Sequence, residues 1–530
     1  MTPGKSEMVF LSAVLAVLGL VQSIHLTRPF LRHHESVGTE VGKHARNHLK
    51  FGLSKTYGLK LDVSGPSLEP YGDHRKFFYS NHPPMPVLIM AASFALFGVS
   101  EATYRLTLIL FSLAAVVLFR RISARIVPAP HDRTATVFFA ALPMFAFYSV
   151  VTCLQVTCLV GILSAVLFYL RWREGGGKKD FGGLLASIAF AGYCAWPGYY
   201  LAPALAAAHV RSGQPRTRGV LALLGWNVLV FGIYLVHLWI ASPPDLDPVR
   251  KLLRAGADRA SLQGLALAPY LVGEAREVAL LMTVPVVGLA VVGLIPLFRM
   301  NPARDVRLIA SLALLGLDEI VFARLSSQHE YYSYPLVVFL ALAAGHGLAA
   351  VGAKVRGWRP AAVVPVLSAL VGLTLLQCAG VIHRRFTREG GYEFYHRLGL
   401  ALRDGTRPND RVLLLTDSAP FYTPFYGDVY QTWYSAENQE LCTENSGGRQ
   451  LGVREQDVLD LLSRRPCPYD VAVTTEKAMV LPHVAFLRTL SDDQLHKFGV
   501  ETGRTARRDF LERRCGSPAP HGGFLFWNLR

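Results

Sequence analysis

Apolar runs long enough to cross a bilayer alternate with short basic connections through the first 382 residues. The first run covers residues 8–24, and others lie at about 101–119, 134–151, 153–170, 181–195, 196–209, 219–240, 277–298, 306–323, 333–351 and 361–381. At ~20 residues per crossing helix, the pattern predicts about eleven membrane spans, some of them short. The connections carry Arg120, Arg121 and Arg125; Arg171, Arg173, Lys178 and Lys179; Arg211, Arg216 and Arg218; Arg299, Arg304 and Arg307; and Lys354, Arg356 and Arg359. If the spans alternate, all five groups fall on one side, which the positive-inside rule makes cytoplasmic. Counting Pro83–Phe97 as a further span would put Arg120 and Arg121 opposite the later basic groups. That piece is also short, so it is read as an interfacial or re-entrant helix.

The N-terminus is then cytoplasmic. A polar island from Glu35 to Gly98, the loop from Ser242 to Arg276, the turn from Arg324 to Tyr332 and everything after His383 share the extracytoplasmic side. After Tyr392 the pattern shortens. Arg411–Thr416 and Tyr469–Thr475 read as buried strands, and Arg454–Arg464 reads as a helix with Val458, Leu461 and Leu462 on one face. The expected architecture is an all-α polytopic membrane domain over residues 1–382, with interfacial helices and the site in its outer loop 28–100. A small soluble extracytoplasmic α/β domain follows over residues 383–530.

Composition agrees with this class. Of 530 residues, 51% are hydrophobic and 17% charged, more apolar surface than one soluble core uses. The formal charge of +16 sits mainly in the short loops and so reports topology; no nucleic-acid partner is expected. Residues 8–24 have no small-residue cleavage site after them and are kept as the first span. Cys153, Cys158, Cys194 and Cys378 lie in apolar runs and read as core residues. Cys442, Cys467 and Cys515 lie in the polar C-terminal region, where one disulfide of unspecified pairing is possible. No zinc-like ligand spacing occurs.

The candidate chemistry lies in the island. Val37, Val41, Ala45 and Leu49 recur every four residues, a spacing that lays one helical face on the membrane and turns Glu40, Lys43, His44 and Asn47 away from it. Transfer of a sugar from a lipid phosphate needs a base for the acceptor hydroxyl and cationic or hydrogen-bonding groups for the departing phosphate. Glu40 is a candidate for the first, and Lys43, His44, Arg46 and His82 for the second. The plain alternative is a solvated helix with a Glu40–His44 pair. Asn81-His82-Pro83-Pro84 places a polar pair before two prolines that start a helix at the membrane surface, where free N–H groups favour a phosphate; a stiffened loop explains it equally well. Arg324, Gln328, His329, Glu330 and Tyr331 form a polar turn between two outer-facing span ends, a placement typical of substrate contacts and also of a surface loop. Asp318 and Glu319 require partners inside the preceding span, and Trp196, Tyr199 and Tyr200 suit an interfacial belt.

Three segments carry a family resemblance. TEVGKHARNHLKFGL at Thr39–Leu53, NHPPMPVLIMAASFALFGVSEATYRL at Asn81–Leu106 and QHEYYSYPLVVFLALAAGHGL at Gln328–Leu348 resemble, in order, motifs of the GT-C glycosyltransferases of the dolichyl-phosphate-mannose mannosyltransferase and lipid A aminoarabinose transferase type. The resemblance implies a polyprenyl-phosphate-linked sugar as donor, an extracytoplasmic active site, Glu40 as the catalytic acid of the first outer loop and phosphate recognition at His82. Many relatives carry a second acid at the start of the fourth span, where this chain has Gln155, and often an aspartate where Glu40 stands. A lone glutamate is a poor divalent-metal site, so no metal or other cofactor is predicted. The expected function is inverting transfer to an extracytoplasmic lipid, glycan or protein in a bacterial inner membrane. The alternative is an inactive or non-enzymatic polytopic protein, such as a transporter or lipid-carrier scaffold. The sugar, acceptor, carrier length and oligomeric state are not encoded in these patterns.

Overall fold

The computed structural model describes residues 4–32, 34–210, 217–260, 267–298, 303–317, 321 and 329–388, most of 392–435, and strands within 440–528. Asp318, Glu319, Arg324, Gln328, the 454–464 helix, Cys467 and Cys515 lie outside the described residues.

In chain order the helices are α1 (Lys5–Ser23), α2 (Ser36–Phe51), α3 (Leu53–Thr56), α4 (Met85–Phe97), α5 (Glu101–Ile126), α6 (His131–Ala141), α7 (Pro143–Tyr148), α8 (Cys153–Arg173), α9 (Lys178–Cys194) and α10 (Pro197–Val210). They continue as α11 (Thr217–Ala241), α12 (Pro248–Ala260), α13 (Leu267–Leu281), α14 (Val284–Leu294), α15 (Arg304–Ser311), α16 (Leu336–Trp358), α17 (Val363–Thr387), α18 (Glu393–Gly405) and α19 (Tyr422–Gly427). Among the described residues six helices (α1, α5, α8, α11, α16 and α17) are long and apolar enough to cross a membrane. A seventh crossing is possible if the bent pair α13–α14 forms one span. Apolar side chains stand outward on α1, α11 and α17, among them Leu20, Val228 and Leu376, a distribution that belongs against lipid.

The remaining expected spans appear as shorter or broken helices. Residues 134–151 divide at Leu142–Pro143, where proline lacks the N–H for a continuing helix and starts α7 instead. The expected span 277–298 is not one helix. Its first residues belong to α13, and the chain turns by 98° before α14, through Thr283 in the left-handed region at φ 61° and Pro285 in the first turn of α14. Residues 306–317 begin as α15 and tighten into a 3-10 turn. Pro83–Phe97 holds a 13-residue helix, α4, too short to span and packed between α2 and α5.

Helix packing brings the ends of the bundle into register. Gly293 of α14 and Gly347 of α16 approach so closely that a Cβ on Gly347 would lie 1.8 Å from the Leu289 carbonyl oxygen, the small-residue contact favoured between helices in lipid. Ion pairs Arg120–Glu7, Arg120–Asp132, Arg125–Glu174 and Arg173–Asp305 gather at one end, joining several of the basic connections. The other end holds α2, α4, a two-stranded antiparallel pair β1 (Lys60–Leu61) and β2 (Phe78–Tyr79), and the turn at residues 329–334. The four apolar-run cysteines are buried.

The C-terminal region forms a seven-stranded mixed sheet from β3 (Arg411–Leu414), β4 (Tyr430–Ser435), β5 (Glu440–Thr443), β6 (Gly448–Leu451), β7 (Val471–Thr475), β8 (Ala519–His521) and β9 (Phe524–Asn528). Its order is β6-β5-β4-β3-β7-β9-β8. Strand β3 pairs in parallel with β4 and β7, and the flanking pairs are antiparallel. The two strands read from sequence, β3 and β7, are its centre.

Candidate active site

Helix α2 is buried on nearly every side. Val41 and Ala45 enter the core as their spacing predicts, but Lys43, His44 and Asn47 are also buried and Leu49 is exposed. The polar face is therefore not solvated; it is filled by the strand segment 60–63. The Asn47 amide donates to the Leu61 and Val63 carbonyls, and Lys43 forms a buried ion pair with Asp62. A pair of this kind is costly to break, at about 3–5 kcal/mol for loss of one partner, so Lys43 has a strong structural role.

Glu40 keeps an opening, with its side chain 18% exposed, and lies 3.9 Å from Nε2 of His44. The His44 Nδ1 lies 2.9 Å from the Leu61 carbonyl; a proton there would donate to it and leave Nε2 to face the carboxylate. Burial pushes the Glu40 carboxyl up, but His44 and the nearby Lys60 ammonium outweigh it and hold the group below its ordinary value. The His44 ring stacks on Tyr79 of β2 at 6.1 Å, and Tyr79 stacks on His82 at 6.2 Å. Thus Tyr79 bridges the two histidines that the sequence separates by 38 positions. Lys60 lies over the same tyrosine ring, 5.4 Å from its centroid. Lys251 of α12 is near enough to Asp62 for electrostatic interaction, while burial lowers its own pKa.

The turn at 329–334 closes the site from the other side. Burial raises the Tyr331 phenol first, with Tyr332 and the Glu40 carboxylate adding to it, so Tyr331 lies near enough to Glu40 to feel its charge. Glu330 receives hydrogen bonds from Tyr148 at 2.6 Å and Arg385 at 2.9 Å, and lies 2.7 Å from His34 Nε2. His329 stacks on Tyr331 and meets His34 edge-on. Asn81 offers its carbonyl to the Trp196 indole and Tyr234 donates to the Ser80 carbonyl, so the aromatic cluster anchors the segment leading to His82. Arg46 points elsewhere: it binds the Pro424 and Phe425 carbonyls and Asp428. Sequence reasoning missed Lys60, Tyr79 and Lys251; a lysine two residues before an aspartate has no motif value until the strand is folded beside α2. Among the described residues no three His, Cys, Asp or Glu side chains gather as a metal set.

A family profile described as dolichyl-phosphate-mannose-protein mannosyltransferase matches residues 81–240. The crystal structure of ArnT from Cupriavidus metallidurans bound to undecaprenyl phosphate superposes with a TM-score of 0.61 at 14% identity, covering 100% of this chain and 99% of that one. This chain has the GT-C glycosyltransferase fold. The apo form of ArnT gives a TM-score of 0.56 at 12% identity over 99% of each chain. AglB from Archaeoglobus fulgidus, in complex with an inhibitory peptide and a dolichol-phosphate, gives 0.54 at 10% identity over 89% of this chain and 70% of that one. No curated protein sequence matches the chain. Within the GT-C fold, the SEATYRL motif is a fastening. Ser100 caps α5, Glu101 accepts from the Tyr426 hydroxyl, and buried Arg105 binds Glu35 and the carbonyls of residues 25, 26, 28 and 29. It fixes the connection from α1 into α2.

Proposed function

We propose that this GT-C protein transfers a sugar from a polyprenyl-phosphate-linked donor to an acceptor hydroxyl on the extracytoplasmic side, with inversion. The observation that carries the reading is the convergence of Glu40, His44, Tyr79 and His82 beside two lysines at one end of the bundle. Glu40 takes the acceptor proton as the acceptor oxygen bonds to the anomeric carbon. The bond from that carbon to the phosphate oxygen breaks, and the polyprenyl phosphate leaves with the electron pair. Lys60, Lys251, His44 and His82 stabilise the charge that develops on it. Tyr331, His329 and Glu330 line the facing wall, with Arg385 and Tyr148 fixing Glu330. Lys43 and Arg46 position α2. Asn81 is tied through its carbonyl to Trp196 ahead of α4, and His82 follows it. The bound lipid phosphates of the ArnT and AglB structures support the donor class.

The test is release of polyprenyl phosphate from a carrier bearing a labelled sugar, in membranes holding the full chain. Glu40→Gln is expected to lower release at least ~100-fold, the scale of a general base, with unchanged expression. Full release by this variant would remove Glu40 as the base.

A further inference from the structure

Among the contacts that residues 424–428 make with α2, one carboxylate gathers several groups. Lys50 donates to both oxygens of Asp428, at 2.7 and 2.6 Å, and Arg46 donates to one at 2.9 Å. The Gly65 N–H reaches the same oxygen at 3.2 Å, and the Lys50 ammonium also holds the Gly65 carbonyl at 2.9 Å. Asp428 stands in the left-handed region, φ 48°, directly after α19 and two residues before β4. Beside it, Phe425 lies where a Cβ on Gly42 would be 2.6 Å away, and Tyr426 links Phe30 N–H to Glu101 at 3.0 Å on either side.

These contacts take hold of the two segments that set the geometry of Glu40. One is α2, where Arg46 follows Glu40 by six residues, or about 9 Å along the axis. The other is the chain from β1 through Gly65, whose Leu61 carbonyl fixes His44 and whose Lys60 acts on Glu40. We propose that Asp428 is a positioning residue. The C-terminal region sets the placement of α2 against the 60–65 segment, and through it the aim of the Glu40–His44 pair. This rests on the reading of Glu40 as the base.

The experiment uses the full chain in lipid nanodiscs, with two readouts: transfer kinetics with a polyprenyl-phosphate-linked labelled sugar, and hydrogen–deuterium exchange of α2. Asp428→Asn is expected to lower kcat about tenfold with donor KM within threefold, and to speed exchange across residues 36–51 while the α14–α16 contact stays protected. Lys50→Met, which removes one side of the clamp, should give a smaller change in both, and Asp428→Glu should recover part of each. Asp404→Asn, at an exposed pair in the same region, should change neither. Loss of rate without faster exchange in α2, or faster exchange with full rate, overturns the proposal. A Glu40→Gln enzyme with full activity would remove the base yet leave both Asp428 readouts standing, so the two failures are distinguishable.

Discussion

At the scale of single residues, the site is a set of charges whose protonation follows from their neighbours. Glu40 is held below its ordinary value because His44 and Lys60 outweigh its burial, and as the proposed base it would work only when deprotonated. Activity should therefore persist on the acid side to below the ordinary glutamate value of about 4.3. Lys251 acts in the opposite sense. In the proposed reaction it would help bind a phosphate only while protonated, and burial lowers its pKa, so phosphate affinity should decline on the alkaline side before an ordinary lysine, at about 10.4, would discharge. A pH profile of transfer checks both limbs, and Lys251→Met should remove the alkaline limb in KM while leaving the acid limb. Lys60 bears on both partners, since it lies over Tyr79 and lowers Glu40. Lys60→Met should weaken donor binding and shift the acid limb upward, toward higher pH. A profile unchanged by that substitution would place Lys60 outside the site.

At the scale of elements, α2 and the entry into it decide everything else. The sequence shows an amphipathic helix there, and Val41 and Ala45 do enter the core while Leu49 stays exposed; what it does not show is that the polar face is covered too. A second layer, β1 and the 61–65 segment, is invisible to periodicity because two-residue strands carry no pattern and are held by Asn47, Lys43 and Lys50. Arg105 likewise reads as a motif residue, and its work as an anchor appears only when α5 lies beside the α1–α2 connection. Its guanidinium and Glu35 are both nearly fully buried, so Arg105→Ala would leave four carbonyls without their donor and Glu35 with Arg32 alone, at a cost of about 3 kcal/mol or more. Loss of most folded protein in detergent at a temperature the parent survives is the expected result. Arg105→Lys, which cannot reproduce the fork of bonds to four carbonyls and Glu35, should recover little.

At the scale of the whole molecule, the arrangement separates two ends. The ion pairs of Glu7, Arg125, Glu174 and Asp305 mark one; Glu40, His82, Glu330 and the C-terminal sheet stand at the other. If the positive-inside assignment holds, a membrane-impermeant thiol reagent added outside spheroplasts should label Asp73→Cys and Asp245→Cys, both at the site end, and spare Arg125→Cys and Glu174→Cys until the membrane is opened. The reverse labelling would invert the topology and move the proposed chemistry to the cytoplasm.

What the sequence determined by itself is what depends on neighbours along the chain: the apolar runs, the basic connections, the helix at 36–51, the central strands β3 and β7, and the ordered motifs that resemble the GT-C glycosyltransferases. These are legible because period and composition are local properties. Tertiary structure alone decided the rest. It set the 98° turn between α13 and α14 within the expected span at 277–298. It turned Arg46 from a candidate phosphate contact toward Asp428, 382 positions away, and it set Tyr79 between His44 and His82. A side chain's partner is fixed by where distant segments meet, and one chain's order of residues does not carry that information.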